Sequence, residues 1–279
     1  VRQIDPNYVF VTGWNEWIAG REETWQNVSN AFPDQFNDEY SRDIEPSKGS
    51  LKDNYYYQLV SNVRKYKGAN MQEKQSTSKT IDIYGNPEQW TDNNLISYNS
   101  YINKTAPTRN SKEWGYDNNN YLTNYTFRND IRTAKVSYDT NNLYFYVETE
   151  DKIIDYKNTF RLLLDTIDST NNSSTNNWNE FEYVINRTGA TDDTFALEKS
   201  LGNSNWEIVG RVNYKVVSNT IQIEVPLSLL NLNVSNLNFN FKWADNNMGD
   251  MTNVDDIMSV YTDGDTAPGG RFAFKFYNE

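Results

Sequence analysis

The chain has 279 residues, with 38 acidic against 26 basic side chains, a net charge of −12, and neither Cys nor His. Those two absences exclude disulfides, thiolate nucleophiles, Ser-His-Asp and Cys-His catalysis and the usual catalytic zinc ligands, so proton transfer falls to Asp, Glu, Tyr or Lys. The acidic balance, without a Lys/Arg cluster interleaved with aromatics, argues against a nucleic-acid partner, and no apolar run approaches the roughly 20 residues of a membrane helix.

In chain order, the first apolar run is Tyr8–Val11, which reads as a strand. It leads into VTGWNEWIAGR, Val11 to Arg21, and then into a long polar loop holding Phe32-Pro33 and Asp43-Ile44-Glu45-Pro46. A helix is predicted from Asn54 to Lys67. Asp53 is offered as N-cap, Tyr56, Leu59, Val60 and Val63 recur at helical spacing, Lys65 and Lys67 suit the C-terminal dipole, and Gly68 closes it. Strand, loop and helix make one βα unit, which cannot bury both faces of its strand alone. Residues 69–79 are polar and aperiodic and read as a linker.

From Thr80 the period changes to two. Eight alternating runs follow: Ala134–Tyr138, Leu143–Val147, Phe160–Leu164, Phe181–Ile185, Val212–Val216, Ile221–Val225, Leu237–Trp243 and Phe272–Phe276. Asn/Gly/Asp turns separate them, the pattern of an antiparallel β-sandwich. A short helix is predicted after Pro226, at Leu227–Leu230. Residues 90–130 form a long, mostly irregular excursion. The expected fold is therefore mainly β: an antiparallel β-sandwich over 80–279, preceded over 1–68 by a βα remnant of a (β/α)8 barrel.

Two constellations carry chemistry. In the first, Trp14, Asn15, Glu16 and Trp17 stand at the end of the predicted strand, where barrel enzymes place their reacting groups. Glu16 is the catalytic candidate, since indole neighbours favour the protonated form that a general acid needs. Trp14, Asn15, Trp17 and Arg21 are substrate-binding candidates; a packing and turn role for the segment is the alternative. WNEW after VFVTG, with Ile44-Glu45-Pro46 downstream, resembles the end of the catalytic barrel in endo-α-mannosidase-type glycoside hydrolases. There the motif reads approximately NEW-x-E-G, with an IEP-like element shortly after. The resemblance implies a glycan substrate and matches Glu16 to the first motif carboxylate. The second falls on Ala19, so Glu22, Glu23 or Glu45 supplies it, or the chemistry differs. One βα unit is not a barrel, so an upstream catalytic barrel of the same polypeptide is the expected partner; the first residue, Val, fits a cut.

In the second, Ala134–Asp151 resembles the strand pair of family 9 carbohydrate-binding modules and related DOMON-like sandwiches. Ile81-Asp82-Ile83-Tyr84-Gly85 with Trp90 is similar to their opening element, and Phe241–Asn246 through Gly264-Asp265 to Arg271-Phe272 to their ending. The resemblance implies sugar contacts at Arg161 and Glu182, with the acidic and basic roles exchanged relative to the family; a cross-strand ion pair is the alternative. Trp114, Trp178 and Trp206 lie in loops or at strand starts and are candidate platforms for sugar rings. Asp245, Asp250, Asp255 and Asp256, and separately Asp165 and Asp168, offer oxygens to a structural calcium, with solvated turns the alternative. No cofactor is required.

The sequence thus predicts the C-terminal region of a secreted or cell-surface glycoside hydrolase that acts on an oligo- or polysaccharide. A stand-alone carbohydrate-binding module, or a sandwich that only braces a catalytic barrel, are the alternatives.

Overall fold

The computed structural model describes residues 6–15, 20–33, 43–46, 51–68, 78–100, 113–114, 121–122, 128–166, 181–245 and 259–278. In chain order the strands are β1 (Glu22–Trp25), β2 (Val28–Ala31), β3 (Ser97–Asn99), β4 (Glu113–Trp114), β5 (Tyr121–Leu122), β6 (Ile131–Tyr138), β7 (Asn142–Thr149), β8 (Phe160–Asp165), β9 (Tyr183–Ile185), β10 (Thr194–Gly202), β11 (Asn205–Val217), β12 (Thr220–Pro226), β13 (Asn238–Asp245), β14 (Asp265–Ala267) and β15 (Phe274–Tyr277). The helices are α1 (Asn54–Lys67), α2 (Tyr156–Thr159) and α3 (Ser259–Thr262), with 3-10 turns at Pro87–Thr91, Leu227–Leu230 and Val234–Asn236. The chain divides into two compact units, residues 1–71 with 111–123 and residues 72–110 with 124–279.

In the first unit, α1 spans the predicted residues and ends in Arg64, Lys65 and Lys67 before Gly68, whose φ of +81° suits glycine. Asp53 stands at the N-cap position, although its side chain does not cap the first turn. Tyr8–Val11 is not a strand. These residues pair with no ladder among the described residues and are exposed, Phe10 to 73%. A strand exists only through a partner, and local β-propensity does not supply one. The polar loop that follows instead holds a hairpin, β1 against β2, turned by Gln26 and Asn27, both at positive φ. That is the backbone of a two-residue hairpin turn.

The second unit is mainly β and antiparallel. Its sheet runs β14-β13-β8-β9-β10-β11-β12-β7-β6-β3, with β15 also on β13. Each of the eight predicted alternating runs contains a strand, with Phe181-Glu182, Leu237 and Phe272-Ala273 lying just before theirs. β10 was not predicted, because Phe195, Ala196, Leu197 and Glu198 are buried in succession and show no alternation. The sheet curls until its ends approach: Asp265 on β14 accepts from the Ile131 amide of β6 at 2.6 Å, and the Tyr98 ring of β3 lies 4.9 Å from Phe241 of β13. A sandwich or barrel-like arrangement fits this curl. The core inside it is made by alternate residues, Val136, Phe145, Leu162, Tyr183, Phe195, Tyr214, Ile223 and Phe241 among them.

The reverse face of β7 and β12 is covered by residues 81–95. Ile81, Ile83, Trp90 and Leu95 pack on Tyr144 and Tyr146, with Trp90 stacked on Tyr146 at 5.2 Å and its indole N–H donating to Gln222 at 2.7 Å. The β6–β7 turn is held by Asp139, which accepts from the amides of Asn141 and Asn142 (2.8 and 2.9 Å) and from the Tyr144 hydroxyl (2.7 Å). Burial and Asp139 together push the Tyr144 phenol up to about 12.

Two predictions follow from this packing. At Gly264 an added Cβ would fall 1.3 Å from the Asp245 carbonyl oxygen, and φ is +46°. Gly264→Ala should destabilise the chain by roughly 3–5 kcal/mol, read as a lowered midpoint in urea. At Asp139, burial works to raise the carboxyl's pKa, but the bonds it accepts outweigh burial and hold it below the ordinary value. The unfolded chain therefore takes this proton more readily, so the contribution is complete above about pH 4 and is lost as pH falls through the folded-state value. Asp139→Asn should cost about 1 kcal/mol at pH 7, and thermal melts should show the deficit shrinking toward pH 3.

Candidate functional site

The first unit brings two sequence elements together. The Ile44 amide donates to the Gly13 carbonyl at 3.1 Å and the Glu45 amide to the Trp14 carbonyl at 3.0 Å. The Asn15 side-chain amide donates to the Glu45 carboxylate. Gly13-Trp14 and the Ile44-Glu45 element, some thirty residues apart, are thus joined by two successive backbone bonds. Of the three candidates for a second carboxylate, Glu45 is the one seen at the motif, while Glu22 and Glu23 lie exposed on β1. Trp14 is 49% exposed, and the edge of its ring meets Tyr56 of α1 at 6.1 Å. Arg21 donates instead to Asn30 across the hairpin at 3.3 Å. Glu16 and Trp17 lie outside the described residues. Trp114 is on β4, opposite Tyr121 of β5, and belongs with the first unit rather than the second.

In the second unit the register separates Arg161 from Glu182. Leu162 opposes Ile185 and Leu164 opposes Tyr183, so Arg161 falls opposite Asn186, while the Glu182 amide donates to the Leu164 carbonyl at 3.0 Å. Four positions along a strand is roughly 13 Å, so the two are not cross-strand neighbours. They do share the face of the sheet turned away from the core, because Phe160, Leu162, Leu164, Tyr183 and Ile185 take the core side. Both are buried there, and Glu182 accepts from the Thr166 amide at 3.1 Å.

That outward face carries charges that sequence reasoning passed over. Lys242, buried, donates to the carbonyls of Pro268 and Phe272. Glu198, also buried, accepts from Arg187 Nε at 2.8 Å and from the amide and hydroxyl of Thr188 at 3.0 and 2.7 Å. The Arg187 guanidinium then lies 5.8 Å from the ring centroid of Trp206, which is half-buried. The signal was present as polar residues on the same face, Glu182 and Asn186 four positions apart and Glu198 and Ser200 two apart, but Val184 and Ala196 interrupt it. Trp178 lies outside the described residues.

Asp245, the first of the proposed metal ligands, is fully buried and has both oxygens engaged. Arg128 Nε donates to Oδ2 at 2.9 Å, and the Thr159 hydroxyl donates to Oδ1. Burial raises the Asp245 carboxyl above its ordinary range, against the pull of Thr159 and Arg128. Asp250, Asp255 and Asp256 lie outside the described residues, as does Asp168; Asp165 accepts from Asn240 at 2.9 Å.

Comparison with protein-family models, curated proteins and solved structures returned no match. An exposed indole beside an amide–carboxylate pair can cover the apolar face of a sugar while bonding its hydroxyls. A charged face of a sheet with an indole at its margin offers the same chemistry on a second scaffold.

The ion pair at Asp245 is open to direct measurement. Arg128→Ala strands a buried carboxylate and should cost about 3–5 kcal/mol. Adding Asp245→Asn should recover a large part of that loss. Because burial already favours the protonated acid, the penalty of Arg128→Ala should shrink as pH falls from 7 toward 5. Urea titrations of the two single variants and the double variant give the coupling energy.

Proposed function

We propose that this chain is the C-terminal region of a glycoside hydrolase, in which the first unit forms one edge of the catalytic cleft and the second is an accessory sugar-directed β-sandwich. The observation that carries the reading is the Glu45–Trp14 and Ile44–Gly13 backbone pairing, with the Asn15 amide on the Glu45 carboxylate. Glycoside hydrolysis works through two carboxylates flanking one bond. Glu45 bonds Trp14 and Asn15, which precede Glu16 in the sequence, and Trp14 supplies an exposed stacking face. In this reading Glu16 is the general acid, Glu45 the second carboxylate or its positioning partner, and Trp14 and Asn15 hold the sugar. The exposed run Tyr8–Val11 is apolar surface of the kind that a neighbouring strand of the same polypeptide covers.

The experiment is hydrolysis of a panel of oligosaccharides by the full-length gene product. Glu16→Gln and Glu45→Gln should each lower kcat by about 100-fold or more, the span of a general acid–base contribution. Trp14→Ala should raise KM with a smaller effect on kcat. Wild-type turnover in both carboxylate variants would reject the proposal.

A further inference from the structure

The register of the second unit brings Trp206, Ser200 and Glu182 into one row. Trp206 of β11 opposes Ser200 of β10 and Ser200 opposes Glu182 just before β9, while Glu182 donates its amide to Leu164 of β8 at 3.0 Å, next to Asp165, which opposes Asn240 of β13. The Glu182 and Ser200 step is confirmed by the Ser200 amide donating to the Glu182 carbonyl at 2.7 Å. Ser200 and Trp206 lie on the face away from the core by alternation, since Glu198 follows the core residue Leu197 and opposes Ile208, and Ser200 and Trp206 each stand two positions further on. From Glu182 to Trp206 the row covers roughly 10 Å at the ordinary strand spacing.

The row is graded in access. Glu182 and the nearby Asp165 are buried, while Ser200 and Trp206 are half-buried, and Ile208, one position along β11 on the same face, is 55% exposed. The indole is also held in place. Arg187 lies over it, and the guanidinium is itself fixed by the buried Glu198, which Thr188 bonds in turn. A stacking surface that is rigid before binding loses less entropy when a ligand arrives.

We propose that this row binds a neutral oligosaccharide, with the Trp206 indole taking the C–H face of one ring and Ser200 and the recessed Glu182 carboxylate bonding its hydroxyls. The inference rests on the carbohydrate reading of the chain, but names a locus separate from Trp14. The neutrality follows from charge. The row carries the Glu182 carboxylate, with Asp165 close by, and no cation, and Arg187 beside it already faces Glu198. A carboxylate has about four lone-pair sites and accepts from sugar hydroxyls, whereas a uronate or sulfated sugar would meet like charge.

Calorimetric titration of the whole chain tests this, using neutral gluco-, manno- and xylo-oligosaccharides and an oligogalacturonate. At least one neutral oligosaccharide should bind the wild type and the oligogalacturonate should not. Trp206→Ala should weaken that binding at least tenfold, Trp206→Phe should restore part of it, and Trp14→Ala should leave a binding phase intact. Circular dichroism melts of the Trp206 variants check that the fold survives. Unchanged affinity in Trp206→Ala, with loss in Trp14→Ala, overturns the row and leaves the hydrolase reading standing. Binding of the oligogalacturonate alone overturns the ligand class. Absence of any binding at millimolar sugar overturns the row, while turnover by the full-length protein still decides the hydrolase reading.

Discussion

A buried carboxylate at the end of β13 fixes where the curled sheet of the second unit comes to rest. Asp245 takes the guanidinium of Arg128 on one oxygen and the Thr159 hydroxyl on the other, and its ladder partner Asp265 takes the Ile131 amide. Arg128 and Ile131 lie at the start of β6, Thr159 at the start of β8, and Asp265 on β14. Three distant parts of the chain therefore meet at two acids. Each acid would be costly in isolation and is tolerable only because the others are in place. That condition makes closure cooperative: β14 cannot leave β6 without stranding Asp265, and β13 cannot slip without stranding Asp245. Gly264 is the steric counterpart, a residue with no room for a side chain against the Asp245 carbonyl.

Closure in turn dictates that the sheet has an inside and an outside, and the outside is where the second unit differs from an ordinary β protein. The β6, β7 and β12 part of that face is covered by residues 81–95 with an aromatic and aliphatic layer. The β13, β8, β9 and β10 part is charged and buried, with Arg161, Asp165, Glu182, Glu198 and Lys242 all on it. Polar groups in such positions are retained where they are bonded and where they specify something.

How much of this was legible in the sequence depended on whether apolar and polar residues alternated. The eight runs could be read on that alternation, even β8, which is buried on both faces, and each contains a strand. β10 could not, since Phe195-Ala196-Leu197 is an unbroken apolar run. Tyr8–Val11 had the composition of a strand without the partner that makes one, a fact no local pattern contains. The pairing of Asn15 with Glu45 could be anticipated only as a choice among three carboxylates, because chain separation does not say which loop folds back. The cross-strand ion pair offered for Arg161 and Glu182 does not form, because their offset along the sheet depends on a register set by neighbouring strands. The network of Glu198, Arg187 and Trp206 was missed because its members belong to three different strands or turns and form no local motif.

β11 is thirteen residues long, and β12 pairs only with Asn213–Val217. From Asn205 to Arg211 its other side has no strand among the described residues, so the stretch that carries Trp206 and Ile208 is also an edge, with backbone donors and acceptors facing outward. Such an edge, bearing exposed apolar groups, is a template on which a second chain could extend the sheet. The ladder to β10 breaks register twice, at Leu197/Glu198 and at Ser200/Gly202, and Glu207 and Arg211 place charge along the strand. Irregular spacing denies an incoming strand a continuous set of partners. The first of these irregularities also reverses the facing of Ile208 and Trp206 relative to Val212, so straightening the hairpin would trade a stacking surface for a polymerising one.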